Sequence, residues 1–214
     1  MKFYYDVREK LQHRIEGFDY IFNYLKNIQN PIIVETGCMR NEDNYCGDGQ
    51  SSFLFDRYVN EYGGEFYTVD LSEISYNYCR NNLICPRSSV SLSDSVSYLK
   101  NLNNKLESEN KKIDLLYLDS MDAPANNKQV VENSARHHLY ELLSILPSLK
   151  KECLICVDDN WVEITRKSIM NNPNLIVEND VANLCGKGMY INEYMTHIGN
   201  DPCFVNYQMF WINK

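Results

Sequence analysis

Apolar positions along the chain follow two rhythms. From Lys2 to Asn27 they recur at near-helical spacing (Leu11, Ile15, Phe18, Ile21, Phe22, Leu25), which predicts one or two amphipathic helices. From Pro31 onward, short apolar runs alternate with longer amphipathic stretches. Ile32 to Val34, Glu65 to Val69, Ser88 to Leu92, Ile113 to Leu118 and Cys153 to Val157 read as strands. Between them, helices are expected from Gln50 through Tyr58, from Ile74 to Leu83 with Ser72 as N-cap, through Val96 and Leu99, and from Val130 to Leu149. That alternation predicts an α/β fold with a doubly wound, mostly parallel sheet. The tail holds an Asn-rich turn at Asn171 to Asn174 and short strand Leu175 to Glu178. A last strand, Phe204 to Ile212, is expected to pair antiparallel with the Leu175 strand. Residues 1–30 form an N-terminal helical extension, as packing or as a lid, and 31–214 the sheet domain.

Polar residues cluster where the predicted strands end, and open α/β sheets bind ligands there. The first strand ends in Glu35 and Gly37; a polar loop then leads to Gly47, Gly49 and Ser51 at a helix start, where backbone N–H groups and the helix dipole suit a nucleotide-like cofactor. The second strand ends in Asp70, close to the spacing that places a carboxylate on ribose hydroxyls. The glycines do not fit G-x-G-x-x-G, which disfavours NAD. Ser93-Asp94-Ser95 after the third strand either caps a helix or holds an adenine amino group or ribose. The fourth strand ends in Asp119-Ser120-Met121-Asp122 and the fifth in Asp158-Asp159-Asn160. Asp119, Asp159 and Asn160 are hard oxygen donors suited to Mg²⁺, Ca²⁺ or Mn²⁺; alternatively they cap helices or bind cofactor hydroxyls without a metal. Lys187, between Gly186 and Gly188, either contacts an anionic acceptor or lies in a solvated turn, and His13 and His197 read as surface.

Composition narrows the partners. With 214 residues, 44% of them hydrophobic, the chain can bury one full core. A net charge of −8 argues against generic nucleic-acid binding, which needs clustered cations, and points to a small-molecule acceptor. Eight cysteines without a stapled-scaffold spacing or a signal-like N-terminus suggest a reducing cytoplasm; Cys153 and Cys156 enclose apolar Leu154 and Ile155 and read as core residues. No apolar run is long enough to span a bilayer. Phe3, Tyr4 and Tyr5 offer an aromatic surface for a homodimer.

The succession of an E-x-G strand end, acids after the second and fourth strands and a D-N after the fifth resembles the class I S-adenosylmethionine-dependent methyltransferases, in particular the catechol and caffeoyl-CoA O-methyltransferases and related small bacterial and viral enzymes. The resemblance runs from Pro31 to Ile212 and implies a Rossmann-like fold and methyl transfer to an oxygen of a diol, a sugar or a phosphate-bearing metabolite. It implies that Glu35, Gly37, Gly47, Gly49 and Ser51 hold the methionine part of S-adenosylmethionine, Asp70 the ribose, and Ser93, Asp94 and Ser95 the adenine, with Asp119 beside the cofactor. It also implies a divalent cation, Mg²⁺ or Mn²⁺, on Asp119, Asp159 and Asn160, with Asp158 as substitute. Two departures stand out. The loop Cys38 to Cys46 is an insertion, and the lysine those enzymes place three residues after the first metal-ligating aspartate is here Asp122. The base then falls to Asp122 or to His138 on the following helix. Rival readings are a metal-independent methyltransferase using either base, a non-catalytic cofactor-binding module and a nucleotide-dependent oxidoreductase.

Overall fold

The computed structural model describes residues 1–124, 127–160 and 186–214. Seven strands form one sheet in the order β3-β2-β1-β4-β5-β7-β6: β1 (Ile32–Thr36), β2 (Glu65–Asp70), β3 (Ser88–Leu92), β4 (Ile113–Leu118), β5 (Leu149–Val157), β6 (Phe204–Val205) and β7 (Met209–Ile212). The first five run parallel, and β7 is antiparallel to both β5 and β6. This is the expected Rossmann-like α/β sheet with an antiparallel final strand. The stretch from Phe204 to Ile212, expected as one strand, is a hairpin instead: Asn206 N–H bonds Gln208 O at 2.9 Å and turns the chain between β6 and β7. Its partner is β5; the Leu175 strand and the Asn171 turn lie outside the described residues.

Side-chain alternation along the strands sorts the core into two layers. Ile155 and Val157 of β5 join Leu116 and Leu118 on one face, under α6 (Ser95–Ser108), α7 (Lys128–Ile145) and α8 (Met189–His197). Leu154 and Cys156 point the other way, with Ile33, Phe66, Leu115 and Tyr117. That second face is covered by α4 (Ser51–Tyr62) and by the N-terminal segment: α1 (Lys2–Tyr5), a 3₁₀ stretch (Arg8–Arg14) and α2 (Ile15–Leu25). Leu11, Phe18, Ile21 and Leu25 are fully buried, so the predicted amphipathic stripe is a core layer. Tyr4, expected on an exposed aromatic surface, is buried with it, because its ring packs on Phe22 and its hydroxyl donates to Asp19 Oδ1 at 2.7 Å. The 3₁₀ stretch kinks at Gln12 (φ 49°, ψ −111°) and turns Arg14 inward, 2% exposed.

Two further helices frame the site. The insertion after β1 carries a one-turn helix, α3 (Tyr45–Asp48), and α5 (Glu73–Asn82) follows β2, its N-cap Ser72 accepting from Ser75 N–H. No helix among the described residues is long and apolar enough to cross a membrane. Cys153 and Cys156 are buried free thiols, as their place in an apolar strand requires.

Candidate active site

The strand order turns back between β1 and β4, and the carboxyl ends of these strands open a crevice where diverging connections leave room for a ligand. Gly37 stands at its base with φ 79°; a Cβ there would lie 2.3 Å from the carbonyl oxygen of Asp119, so only glycine allows β1 and β4 to end so closely. Beside it, Asp70 accepts from the backbone N–H of Cys38 (3.1 Å) and Ser72 (2.7 Å), which orients its carboxylate at the tip of β2.

The crevice has two compartments. The first, about 270 Å³, is bounded by Asp70, Asp94, Ser95 and His137 and by apolar Val69, Leu71 and Met121. Leu71 is 75% exposed. Asp94 caps α6, accepting from Ser97 N–H at 2.8 Å, so both roles left open for it are available at once. Ser95 Oγ lies 2.8 Å from His137 Nε2, and that ring is 3.3 Å from Glu141 Oε1. Glu141, fully buried, also accepts from Ser120 Oγ (2.6 Å) and Thr36 Oγ1 (3.1 Å), tying α7 to the ends of β1 and β4. The carboxylate hydrogen bond to Glu141 raises the pKa of His137. Ser93 stays out of the cavity lining, its hydroxyl turned to Asp94 O at 3.2 Å.

The second compartment is charged. Asp48, Asp70, Asp119, Asp122 and Asp159 line it with Arg14 and Arg40, together with Gly47 and Ser51. Arg14 holds it together: Nε donates to Asp158 Oδ2 at 2.8 Å, one terminal nitrogen to Asp159 Oδ1 at 3.2 Å, and the other to Cys46 O at 2.6 Å. Its guanidinium also lies over the Tyr207 ring, 4.7 Å from the centroid, and the Tyr207 hydroxyl donates to Asp159. Lys187 Nζ donates to Asp119 Oδ1 and lies 2.9 Å from Asp159 Oδ2. Burial alone would push the Asp159 carboxyl up, but Lys187 and Arg14 outweigh it and bring it down to about 2. For Asp119, burial dominates and raises its carboxyl even against Lys187.

Several sequence expectations need correction. Lys187 is no solvated turn; it is fully buried, and the glycines beside it are demanded by packing, since a Cβ on Gly186 would meet Asp159 O at 2.4 Å and one on Gly188 would meet Asn160 Oδ1 at 2.7 Å. Asn160 cannot serve as a metal ligand: Nδ2 donates to Val157 O and Asp158 O, while Oδ1 accepts from Gly188 N–H at 2.8 Å. Asp158 is fully buried against Arg14 and does not line the crevice. His138 cannot be the base. It points into the core, 0% exposed, with Nδ1 on Ser134 O at 2.7 Å, and burial pushes its pKa down to about 4. Glu35 is buried under α4, accepting from Ser52 Oγ (2.5 Å) and Thr68 Oγ1 (2.6 Å), so it supports the glycine loop without facing the crevice. Gly49 (φ 69°) packs on the Arg14 side chain, its Cβ position 3.1 Å from Arg14 Cδ. Arg14, Tyr207 and His137 are the residues that sequence reading left without a role; the Gly-Lys-Gly pattern was the one legible sign of a close approach there.

The first compartment fits an S-adenosyl group, with a carboxylate for hydroxyls beside an apolar slot edged by Ser95 and His137. The second does not fit a divalent ion: of the three expected ligands, Asn160 is committed to backbone and the other two share the Lys187 ammonium. Among the described residues no other group of three metal-ligating side chains exists.

No family model and no characterised sequence matches the chain. Among solved structures it is similar to the MycE methyltransferase from the mycinamycin biosynthetic pathway, in complex with Mg, S-adenosylhomocysteine and mycinamycin VI (TM-score 0.56, 12% identity, over 94% of this chain and 48% of MycE). It is also similar to the N-methyltransferase NodS from Bradyrhizobium japonicum WM9 (TM-score 0.51, 9% identity, over 94% of this chain and 95% of NodS). The chain thus spans about half the length of MycE. Its fold is that of the class I S-adenosylmethionine-dependent methyltransferases.

Proposed function

We propose that this protein is an S-adenosylmethionine-dependent methyltransferase acting on a hydroxyl of a small, uncharged polyhydroxy acceptor. The observation that carries this reading is the pairing of the two compartments, an apolar slot with a strand-end carboxylate that shares Gly37, Asp70 and Ser120 with an acidic chamber. Five carboxylates against two arginines and the Lys187 ammonium behind them leave the chamber acidic, which favours a cationic sulfonium. They oppose the pyrophosphate of NAD and a phosphate-bearing acceptor.

Asp70 binds the ribose hydroxyls, Val69, Leu71 and Met121 enclose the ring, and Ser95 and His137 offer hydrogen bonds at its edge. Gly37, Gly47 and Ser51 bring backbone toward the methionine end. When bound, the cofactor would supply an electrophilic methyl group on a sulfonium, the sulfur keeping the C–S electron pair. Asp119, 17% exposed at the crevice, accepts the acceptor's hydroxyl proton. Asp122, 70% exposed and 3.3 Å from Arg40, is the rival base at the outer edge. Holding acceptor and methyl group in line is the larger part of the task.

Isothermal titration with S-adenosylmethionine, S-adenosylhomocysteine and NAD tests this. Binding of the first two, weakened at least about ten-fold in Asp70→Ala, supports it. Binding of NAD alone would replace it with the oxidoreductase reading. With cofactor bound, release of S-adenosylhomocysteine across a panel of neutral polyols should be abolished in Asp119→Asn while cofactor affinity is kept.

A further inference from the structure

Lys187 lies behind the second compartment without lining it: its side chain is 1% exposed, while Asp119 and Asp159, the two lining carboxylates it joins, are 17% and 19% exposed. Two loops are shaped to put it there. Gly186 (φ 137°) and Gly188 fit against Asp159 and Asn160 with no room for a side chain, and Lys187 N–H donates to Asp159 O at 3.2 Å. Asp159 itself sits at φ 53°, a left-handed conformation that aims its carboxylate at both Lys187 and Arg14.

The geometry points to Lys187 as a built-in substitute for a divalent cation, the positioning residue that holds the Asp119 and Asp159 carboxylates together, so that the proposed methyl transfer at this site needs no metal. The inference rests on the methyltransferase reading only for the reaction, not for the charge arrangement. Asp119 and Asp159 are like charges facing one crevice, and a buried carboxylate pair is stable only with a cation between its members or a proton on one of them. An ammonium supplies one such charge with directed N–H donors, without the open coordination positions a metal would offer. A metal at this place would have to displace a buried lysine and leave that lysine unpaired, which is costly.

Removing the ammonium should therefore create a metal site. Chelator-treated wild-type protein, Lys187→Ala and the double variant Lys187→Ala/Asp119→Asn are titrated with Mn²⁺, free ion being followed by electron paramagnetic resonance, in parallel with S-adenosylhomocysteine titration. Lys187→Ala should bind Mn²⁺ at least about ten-fold more tightly than wild type, and the double variant should lose that gain. Equal Mn²⁺ affinity in wild type and Lys187→Ala overturns the inference, whether both bind or neither does. If Lys187→Ala does not fold by circular dichroism, Lys187→Gln takes its place. One Mn²⁺ bound by wild type on the order of micromolar, and lost in Asp119→Asn, also overturns it. Loss of S-adenosylhomocysteine binding by wild type would sink the methyltransferase reading separately, since the Mn²⁺ comparison does not depend on it.

Discussion

Two buried side chains give the stability of this protein opposing responses to pH. Glu35 has no solvent contact, and burial, opposed by hydroxyl hydrogen bonds, raises its pKa from 4.5 to about 7. A group raised on folding stabilises fully below its unfolded pKa, and that contribution is lost as pH rises through the folded value. Between pH 4.5 and 8 the loss is about 3 kcal/mol. His138 runs the other way: its folded pKa is depressed to about 4, so the unfolded chain takes up the proton first and stability falls as pH drops below about 6.5. The two slopes cancel between about pH 4.5 and 6.5. Glu35→Gln removes the alkaline loss, so its stability relative to wild type should improve by about 3 kcal/mol from pH 4.5 to pH 8 in urea titrations. A difference independent of pH would show that Glu35 stays ionised. The sequence could identify an acid at the end of β1 but not which way it turns. The same holds for His137 and His138, neighbours set about 100° apart around α7, one at the crevice and one in the core.

At the scale of elements, the site is made where two loops meet a kinked segment. Arg14 arrives from the 3₁₀ stretch, Cys46 and Gly47 from the insertion, Asp158 and Asp159 from the end of β5. Gln12, held at φ 49° and ψ −111°, lies outside the favoured left-handed region and is the backbone cost of turning Arg14 inward. Arg14→Met should destabilise by about 3 kcal/mol or more, because Asp158 would be left buried without a counter-charge. Adding Asp158→Asn should recover a large part of that loss, and simple additivity in denaturant midpoints would refute the coupling. Gly37→Ala should cost about 2 kcal/mol or more, since the new methyl group meets backbone at Asp119 and the φ of 79° penalises any side chain. Helix caps at Ser72 and Asp94 were readable because a short polar side chain before an apolar run has a local purpose. Arg14 was not, because its partners lie 144 and 145 residues away. The turn inside Phe204 to Ile212 was hidden for a related reason: Asn206, Tyr207 and Gln208 fit a strand's alternation, and the bend rests on the Asn206 contacts to Tyr207 and Gln208 and on the reach of Tyr207 to Asp159.

For the whole molecule, alternation along each strand told which residues face each layer, and the helix between consecutive strands told that they run parallel. It did not tell which strands are neighbours, because a period of two marks a face and carries no information about an edge. Pairing of the last strand with the Leu175 segment was therefore only one possible placement, and β7 lies between β5 and β6. Its Phe210 and Trp211 are fully buried on opposite faces, one in each core layer. Trp211→Ala should cost about 3–5 kcal/mol of unfolding free energy, measured by chemical denaturation.

The interior place of β7 also sets the order in which a growing chain can finish folding. Strands β1 to β5 are synthesised before residue 158, yet the free edge of β5, Leu154 to Val157, stays unpaired until Met209 to Ile212 become available to cover it. During that interval the nascent chain displays an apolar strand edge of the kind that recruits other chains. A chain interrupted before Met209 is thus expected to aggregate on synthesis, and co-expression of a chaperone that shields strand edges should raise the soluble yield of such fragments more than that of the 214-residue chain.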